Sequence, residues 1–419
     1  MSAARQPFDT VSEGANAAEH RAGAIAEIKQ GIALLLTAMV GCAVGMIGLS
    51  VYSLPFLSGS LAGEFGWQRT DVTTAASFLV AGLALMGPIA GRLCDRFGAR
   101  RIILPSIVLY ALGLLAISRL NGPLWVLYTG YFLLAVGGSG TTYAVYARVV
   151  SSWFDRARGL ALGVMMSGPG ISAAVLPFML PPIVEKYTWR GGYVALGLLA
   201  LAVILPAALL LRERPRTVAA AAKAEDGMTL REALRTRQFW AMLVGVILVS
   251  SAIIGTHVNL PDLLARKGID ASVIVSAASI YGIAIIVGRL AVGAALDRLH
   301  GTVVGGILFT FTACALLLFD FAQGSVAIVI AAAALGVASG AEGDLCAYIA
   351  GRYFGLKSFS EIFGWIYSAL ALGLAAGAAV AGALLRSTGS FDAWLLAGAA
   401  GSIVAAILFA TLGRYRDER

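Results

Sequence analysis

The chain has 419 residues, 59% of them hydrophobic and 13% charged, with a mean hydropathy of +0.85. A soluble protein of this size needs far more polar surface than that, so the composition excludes one and reads as an integral membrane protein. The net charge of +8 is then a question of how Lys and Arg are shared between loops on two sides of a bilayer, not a nucleic-acid signal.

Residues 1–30 are polar, carry charges of both signs and lack the basic-then-apolar layout of a cleaved signal peptide. They are expected to form a mobile cytoplasmic tail, helical from Ala17. Twelve apolar stretches follow, at 31–58, 71–91, 101–119, 124–147, 159–182, 191–211, 238–262, 271–296, 302–321, 325–349, 361–385 and 390–412. Each is about long enough to span a bilayer. Each must be helical, because lipid offers no partner to an open backbone group. A charged linker at 212–237 separates a six-span half at 31–211 from another at 238–412, and 413–419 form a short tail. Cys42, Cys94, Cys314 and Cys346 make no CxxC or Cys/His pattern. They read as small buried hydrophobes, and no metal or cofactor is implied. There is no HExxH and no GxSxG either, which argues against an intramembrane enzyme.

Orientation follows from the basic residues. With the N-terminus inside, 23 of the 31 Lys and Arg fall in cytoplasmic segments and 7 in outer ones, and Arg289 is left over. That bias places both termini in the cytoplasm. The halves also echo each other. Ser139-Gly140 followed by Trp153-Phe154 returns as Ser339-Gly340 followed by Tyr353-Phe354, and Gly91 with Asp95-Arg96 returns as Gly293 with Asp297-Arg298. Two parallel six-helix halves around a midplane site are the layout of an alternating-access transporter.

Arg289 is the one charge between Ala271 and Leu296. A charge inside a span is expensive, about 2.5–3.5 kcal/mol on insertion scales, and marks a ligand or ion pathway by default. Its planar fork suits a carboxylate through two parallel hydrogen bonds; the competing reading is a structural ion pair with Glu342 or Asp344. Counting from span ends at Leu296 and near Ile349, Arg289 and Glu342 both sit roughly 10–12 Å from the inner boundary. Asp344 is about 200° round the helix from Glu342. Equal depth therefore favours Glu342 as the partner. Glu342, Asp344 and His257 are the candidates for carrying a proton, and His257 is also a candidate for donating to a substrate carboxylate. Thr142, Tyr143 and Tyr52 offer hydroxyls at depths that suit a small polar ligand, although tyrosines at span ends are also ordinary interface anchors.

The stretch Gly91-Arg92-Leu93-Cys94-Asp95-Arg96-Phe97-Gly98-Ala99-Arg100-Arg101 resembles the loop motif between spans 2 and 3 of the major facilitator superfamily. Phe65-Gly66-Trp67, Arg289 in span 8 and Arg352-Tyr353-Phe354-Gly355 after span 10 are similar to the bacterial relatives of monocarboxylate transporters and oxalate/formate exchangers. The resemblance implies an all-α membrane protein of twelve helices in two pseudo-symmetric halves. It also implies that Asp95 meets the N-terminal end of span 11, where orphan N–H groups attract an anion. Asp297 would do the same at span 5, so that Asp95, Arg96, Arg100, Asp297 and Arg298 form a gate. Gly168-Pro169-Gly170 loosely resembles the Gly-Pro motif of antiporters, but Gly and Pro also serve close packing and bending in membrane helices. Two departures matter. The animal monocarboxylate pattern carries an aspartate one turn before the arginine, where this chain has Ile285, and a lysine in span 1, where 31–58 holds no charge. The expected function is secondary transport of a small organic anion, a monocarboxylate, with Arg289 binding the carboxylate and protons as co-substrate. The alternative is a proton-independent exchanger or exporter. The expected setting is a bacterial inner membrane, and a monomer is the default for the architecture.

Overall fold

The computed structural model describes residues 8–212, 227–321 and 324–415. Most of the 212–237 linker and the last four residues lie outside this range. In chain order the helices are α1 (Phe8–Ala43), α2 (Tyr52–Phe65), α3 (Arg69–Phe97), α4 (Ala99–Ile117), α5 (Leu124–Gly138), α6 (Tyr143–Trp153), α7 (Arg158–Met166), α8 (Gly168–Ala202), α9 (Ile204–Leu210), α10 (Leu230–Ala233), α11 (Arg237–Arg266), α12 (Ala271–Leu296), α13 (Gly301–Phe321), α14 (Ser325–Phe354), α15 (Phe359–Thr388) and α16 (Asp392–Ala410). Their ends follow local chemistry. The Thr236 hydroxyl accepts from Phe239 N–H at the start of α11, satisfying one of the donors a helix start leaves open. Gly66 and Gly389 close α2 and α15 in the left-handed region, at φ 69° and 75°, where a residue with a Cβ is strained.

Ten helical stretches among the described residues are long and apolar enough to cross a membrane. One of them, residues 158–210, is 53 long, more than twice the roughly 20 that one crossing needs. It folds back at Thr188, so that Gly192 lies against Leu180 and Val184. The span around 124–147 is divided by a tight turn at Ser139–Thr141, which leaves α5 with 15 residues and α6 with 11. Both features fit the twelve crossings expected. At the N-terminal end the expectation is corrected: the helix begins at Phe8, not Ala17, and α1 carries the assigned tail straight into the first span. Glu27 fastens this extension, its carboxylate accepting from the backbone N–H of Asp155, Arg156 and Ala157 at 3.1, 3.0 and 3.2 Å.

The first half (α1–α9) meets the second (α10–α16) chiefly where α3 packs on α15 and α7 on α12, with α6 and α7 also touching α15 and α14. α5 and α8 pack within the first half. The halves are therefore joined at the end that carries the arginine-rich loops, called here the basic end. Close approach there depends on absent side chains. A Cβ on Gly91 would lie 2.1 Å from the Ser360 carbonyl oxygen, and one on Gly159 would lie 2.3 Å from that of Gly293. Small residues let membrane helices touch backbone to backbone, where dispersion and weak polar contacts do the work that lipid denies to the hydrophobic effect.

Candidate functional site

Two broken helices shape the middle of the first half. Between α1 and α2 the chain passes through a π-turn at Ile47–Val51; between α5 and α6 it passes through Ser139–Thr141 and an extended Thr142. The breaks touch, with Met46 N–H donating to Thr141 Oγ1 at 3.1 Å. Irregular backbone at membrane depth survives only where protein or a cavity satisfies it; here Gly140 N–H donates to Ser106 Oγ and the Ala43 carbonyl accepts from the Ser172 hydroxyl. Tyr52 opens α2 and Tyr143 opens α6, so the breaks bring both tyrosines to one level. Both lie within electrostatic reach of Arg289, as does Tyr367 of α15. The rings of Tyr143 and Tyr367 meet edge to face across the two halves, with centroids 5.4 Å apart.

Arg289 of α12 donates through Nη1 to Asp344 Oδ1 of α14 at 3.1 Å, with side-chain exposures of 17% and 0%. The depth argument that favoured Glu342 is overturned. α14 runs on to Phe354, about five residues past the end assumed for span 10, so the residue level with Arg289 moves from Glu342 towards Asp344. The helix is also turned so that Asp344 faces α12 while Glu342 faces α11, where its Oε1 accepts from the Ser250 hydroxyl. Asp344 keeps its second oxygen, Oδ2, buried and without a hydrogen-bond partner among the described residues. That oxygen points towards α7, where a Cβ added to Gly163 would lie 3.6 Å from it. A buried acceptor left bare costs about 1–3 kcal/mol, more for a charge, and calls for an explanation.

His257 is also brought towards the second half's interior, its ring stacked on Tyr281 at 3.9 Å and its Nδ1 buried without a partner among the described residues. Tyr281 in turn donates to Ser339 Oγ at 2.9 Å. Thr142 is fully buried, and its hydroxyl donates to the Ser139 carbonyl at 2.8 Å. It is therefore turned to its own backbone at the helix break. Gly168 lies against the α1 backbone, where a Cβ would meet Met39 O at 2.2 Å, so this glycine serves packing, while Gly170 faces open space.

At the basic end, Asp95 accepts from the N–H of Ser360 at 3.1 Å and of Glu361 at 2.8 Å, at the start of α15. Asp297 accepts from the N–H of Gly159 at 2.6 Å and of Leu160 at 2.9 Å, at the start of α7. Each acid crosses from one half to the other and answers both the orphan donors and the positive end of a helix dipole. Of the arginines named with them, Arg96, Arg100 and Arg298 are exposed, with the Arg96 guanidinium over the Phe97 ring. The buried basic partner is Arg148, assigned from sequence to a loop. It pairs with Asp95 and donates to Leu356 O at 3.2 Å. The signal was present, since Arg148 follows the apolar run from Tyr143 in the way Arg289 sits in its own. A second pair missed from sequence joins Arg92 to Glu361 at 2.6 Å.

The sequence profile described as Major Facilitator Superfamily matches residues 34–341. The chain belongs to that superfamily. It is a multi-pass membrane transporter, not an enzyme. Among its relatives, the Escherichia coli (strain K12) MFS-type transporter YhjX is 25% identical over 77% of this chain and 81% of its own. Monocarboxylate transporter 13 of Rattus norvegicus is 28% identical over 80% and 78%. Among solved structures, the E. coli fucose:proton symporter FucP superposes with a TM-score of 0.70 at 14% identity, covering 91% of this chain and 98% of that one. The human organic anion transporter MFSD10 gives 0.67 at 15% identity over 90% and 99%. These two likenesses establish the shared fold.

Proposed function

We propose that this superfamily member carries a small monocarboxylate across the bilayer by alternating access, coupled to protons. The observation that carries the reading is the Arg289–Asp344 pair: a largely shielded cation, 17% exposed, near the seam of the halves, held by one oxygen of a buried acid whose other oxygen has no partner among the described residues. Protonation of Asp344 at Oδ2 removes its charge and frees the guanidinium for a substrate carboxylate, which then replaces Asp344 as the counter-ion. The cost of a lone buried charge is avoided at every step. Asp344 thus supplies from α14 the acid that Ile285 lacks, and this favours proton symport over proton-independent exchange. Glu342, held by Ser250, and His257, with its bare Nδ1, are the remaining proton carriers. The relatives named as monocarboxylate transporters support the substrate class.

The Asp95 and Asp297 contacts serve as the gate at the basic end. That end faces the cytoplasm of a bacterial inner membrane, with both termini on that side and a monomer as the working unit. Substrate entering from the opposite face occupies Arg289 while the gate is closed; the halves then rock and release it inside. The test is uptake of a labelled monocarboxylate into proteoliposomes. Wild-type uptake should rise with an inward proton gradient, and Arg289→Lys, which keeps the charge but loses the fork, should abolish it. Near-normal uptake by that variant would sink the assignment, and counterflow indifferent to the gradient would favour exchange.

A further inference from the structure

The tyrosines inside the protein fall into two groups. Most have committed hydroxyls: Tyr110 bonds Ser50 at 2.7 Å, Tyr131 bonds Tyr193 at 2.8 Å, Tyr281 bonds Ser339, and Tyr353 bonds Gly413 O. This is the expected state of a buried phenol, whose hydroxyl is costly to leave unmade. Tyr146, fully buried against Gly41, has a hydroxyl without a partner among the described residues, and so do the three around Arg289. Tyr52, Tyr143 and Tyr367 make ring or electrostatic contacts, and none of their hydroxyls makes a hydrogen bond to a described residue. Tyr143 and Tyr367 are each only 8% exposed, whereas Tyr52 is 38% exposed and its bare hydroxyl is ordinary. Uncommitted phenols gathered about one guanidinium are what a small oxygen-rich anion requires of its site.

Tyr367 has a second distinction. It ends a ladder of rings on one face of α15. Phe359 and Phe363 are fully buried and stacked at 5.7 Å, and Phe363 lies 6.0 Å from Tyr367. The ladder starts beside Ser360 and Glu361, whose N–H groups Asp95 holds. It ends on Tyr143 of the other half. Side chains four apart share a helix face and move with it.

We propose that Tyr367 is a substrate-binding residue from the second half, donating its hydroxyl to a remaining lone pair of the carboxylate that Arg289 holds, and that the ring ladder ties this contact to the Asp95 gate. When α15 moves off Asp95, the hydroxyl leaves the site while Arg289 stays on α12, so opening of the basic end weakens the hold on the substrate. The inference rests on the reading of Arg289 as the carboxylate ligand.

The test uses full-length protein in proteoliposomes, with radiolabelled acetate, pyruvate, lactate and oxalate as probes. Tyr367→Phe keeps the ladder and removes one charge-assisted hydrogen bond, so KM should rise about tenfold or more with Vmax within about twofold of wild type. Phe363→Leu keeps the hydroxyl and breaks the ladder, so Vmax should fall with KM little changed. Tyr131→Phe, which loses a hydroxyl committed elsewhere, should leave KM as in wild type. An unmoved KM in Tyr367→Phe overturns the binding role, and an unmoved Vmax in Phe363→Leu overturns the tie to the gate. Failure of the underlying reading looks different: either no probe is taken up by wild type, or Arg289→Gln transports normally.

Discussion

Asp344 holds Arg289 with one oxygen and shows α7 the other, and this asymmetry makes specific demands of variants. Asp344→Asn conserves size but leaves the guanidinium buried beside a neutral amide. Breaking a buried pair from one side costs about 3–5 kcal/mol, so the variant should lose thermal stability in detergent. Adding Arg289→Gln removes the orphan charge and should restore most of that stability without restoring transport. A thermal double-mutant cycle reads this out; additive losses would mean that the two groups do not interact. Arg289 was legible in the sequence because cost alone singles out an arginine in an apolar span. Its partner was not legible, because which of two acids two residues apart faces a neighbour depends on the turn of α14, and depth counting depended on an end that lay five residues further on.

The elements carry their own strain and close contacts. A Cβ on Gly163 would sit 2.7 Å from the Arg289 carbonyl oxygen. Gly163→Ala should therefore push α7 from α12 and lower uptake severalfold while the protein still inserts, as measured by transport per folded transporter. At the other end of the bundle, Thr188 holds φ 61° and ψ −176°, a region that costs a residue with a Cβ about 1–3 kcal/mol. The turn is held by Glu64, which accepts from Trp189 Nε1 at 2.7 Å and pairs with Arg190 at 2.5 Å. Thr188→Gly should relieve the strain and raise the thermal midpoint; no rise would mean that the Glu64 contacts impose no strained geometry. Sequence placed a connection here between two spans but carried no sign of the strain, since threonine is an ordinary loop residue.

Across the whole molecule, two crossed contacts join the halves, Asp95 on α15 and Asp297 on α7, and the proposed gate rests on their acting as latches. Their pseudo-symmetry means that either one alone resists separation, while loss of both should release the basic end. With Cys94, Cys314 and Cys346 replaced by Ala, Cys42 is a native reporter, buried in α1 within electrostatic reach of Arg289 and Tyr143. Asp95→Asn combined with Asp297→Asn should raise labelling of Cys42 by an impermeant maleimide applied from the basic side, and each single variant should raise it less. Equal labelling in wild type and double variant would show that the latches do not hold the closed state. Asp95→Asn should also be the more damaging single change, because it strands Arg148, 7% exposed, without its carboxylate.

The sequence by itself determined the membrane setting, the helical class and the isolated charge of Arg289, because each follows from a local cost that any fold must meet; the contacts of Asp95 and Asp297 were expected from a family resemblance. Backbone polar groups in lipid must close within helices, and a lone charge in a span must find a purpose. Tertiary structure alone decided the rest. It turned Asp344 rather than Glu342 towards Arg289, buried Arg148 against Asp95, turned the Thr142 hydroxyl back on its own chain, carried α1 back to Phe8 and set Tyr367 beside Tyr143. Each of these depends on the azimuth or the end of a helix. Hydropathy gives a span its depth to within a turn, but only packing against neighbours sets its rotation.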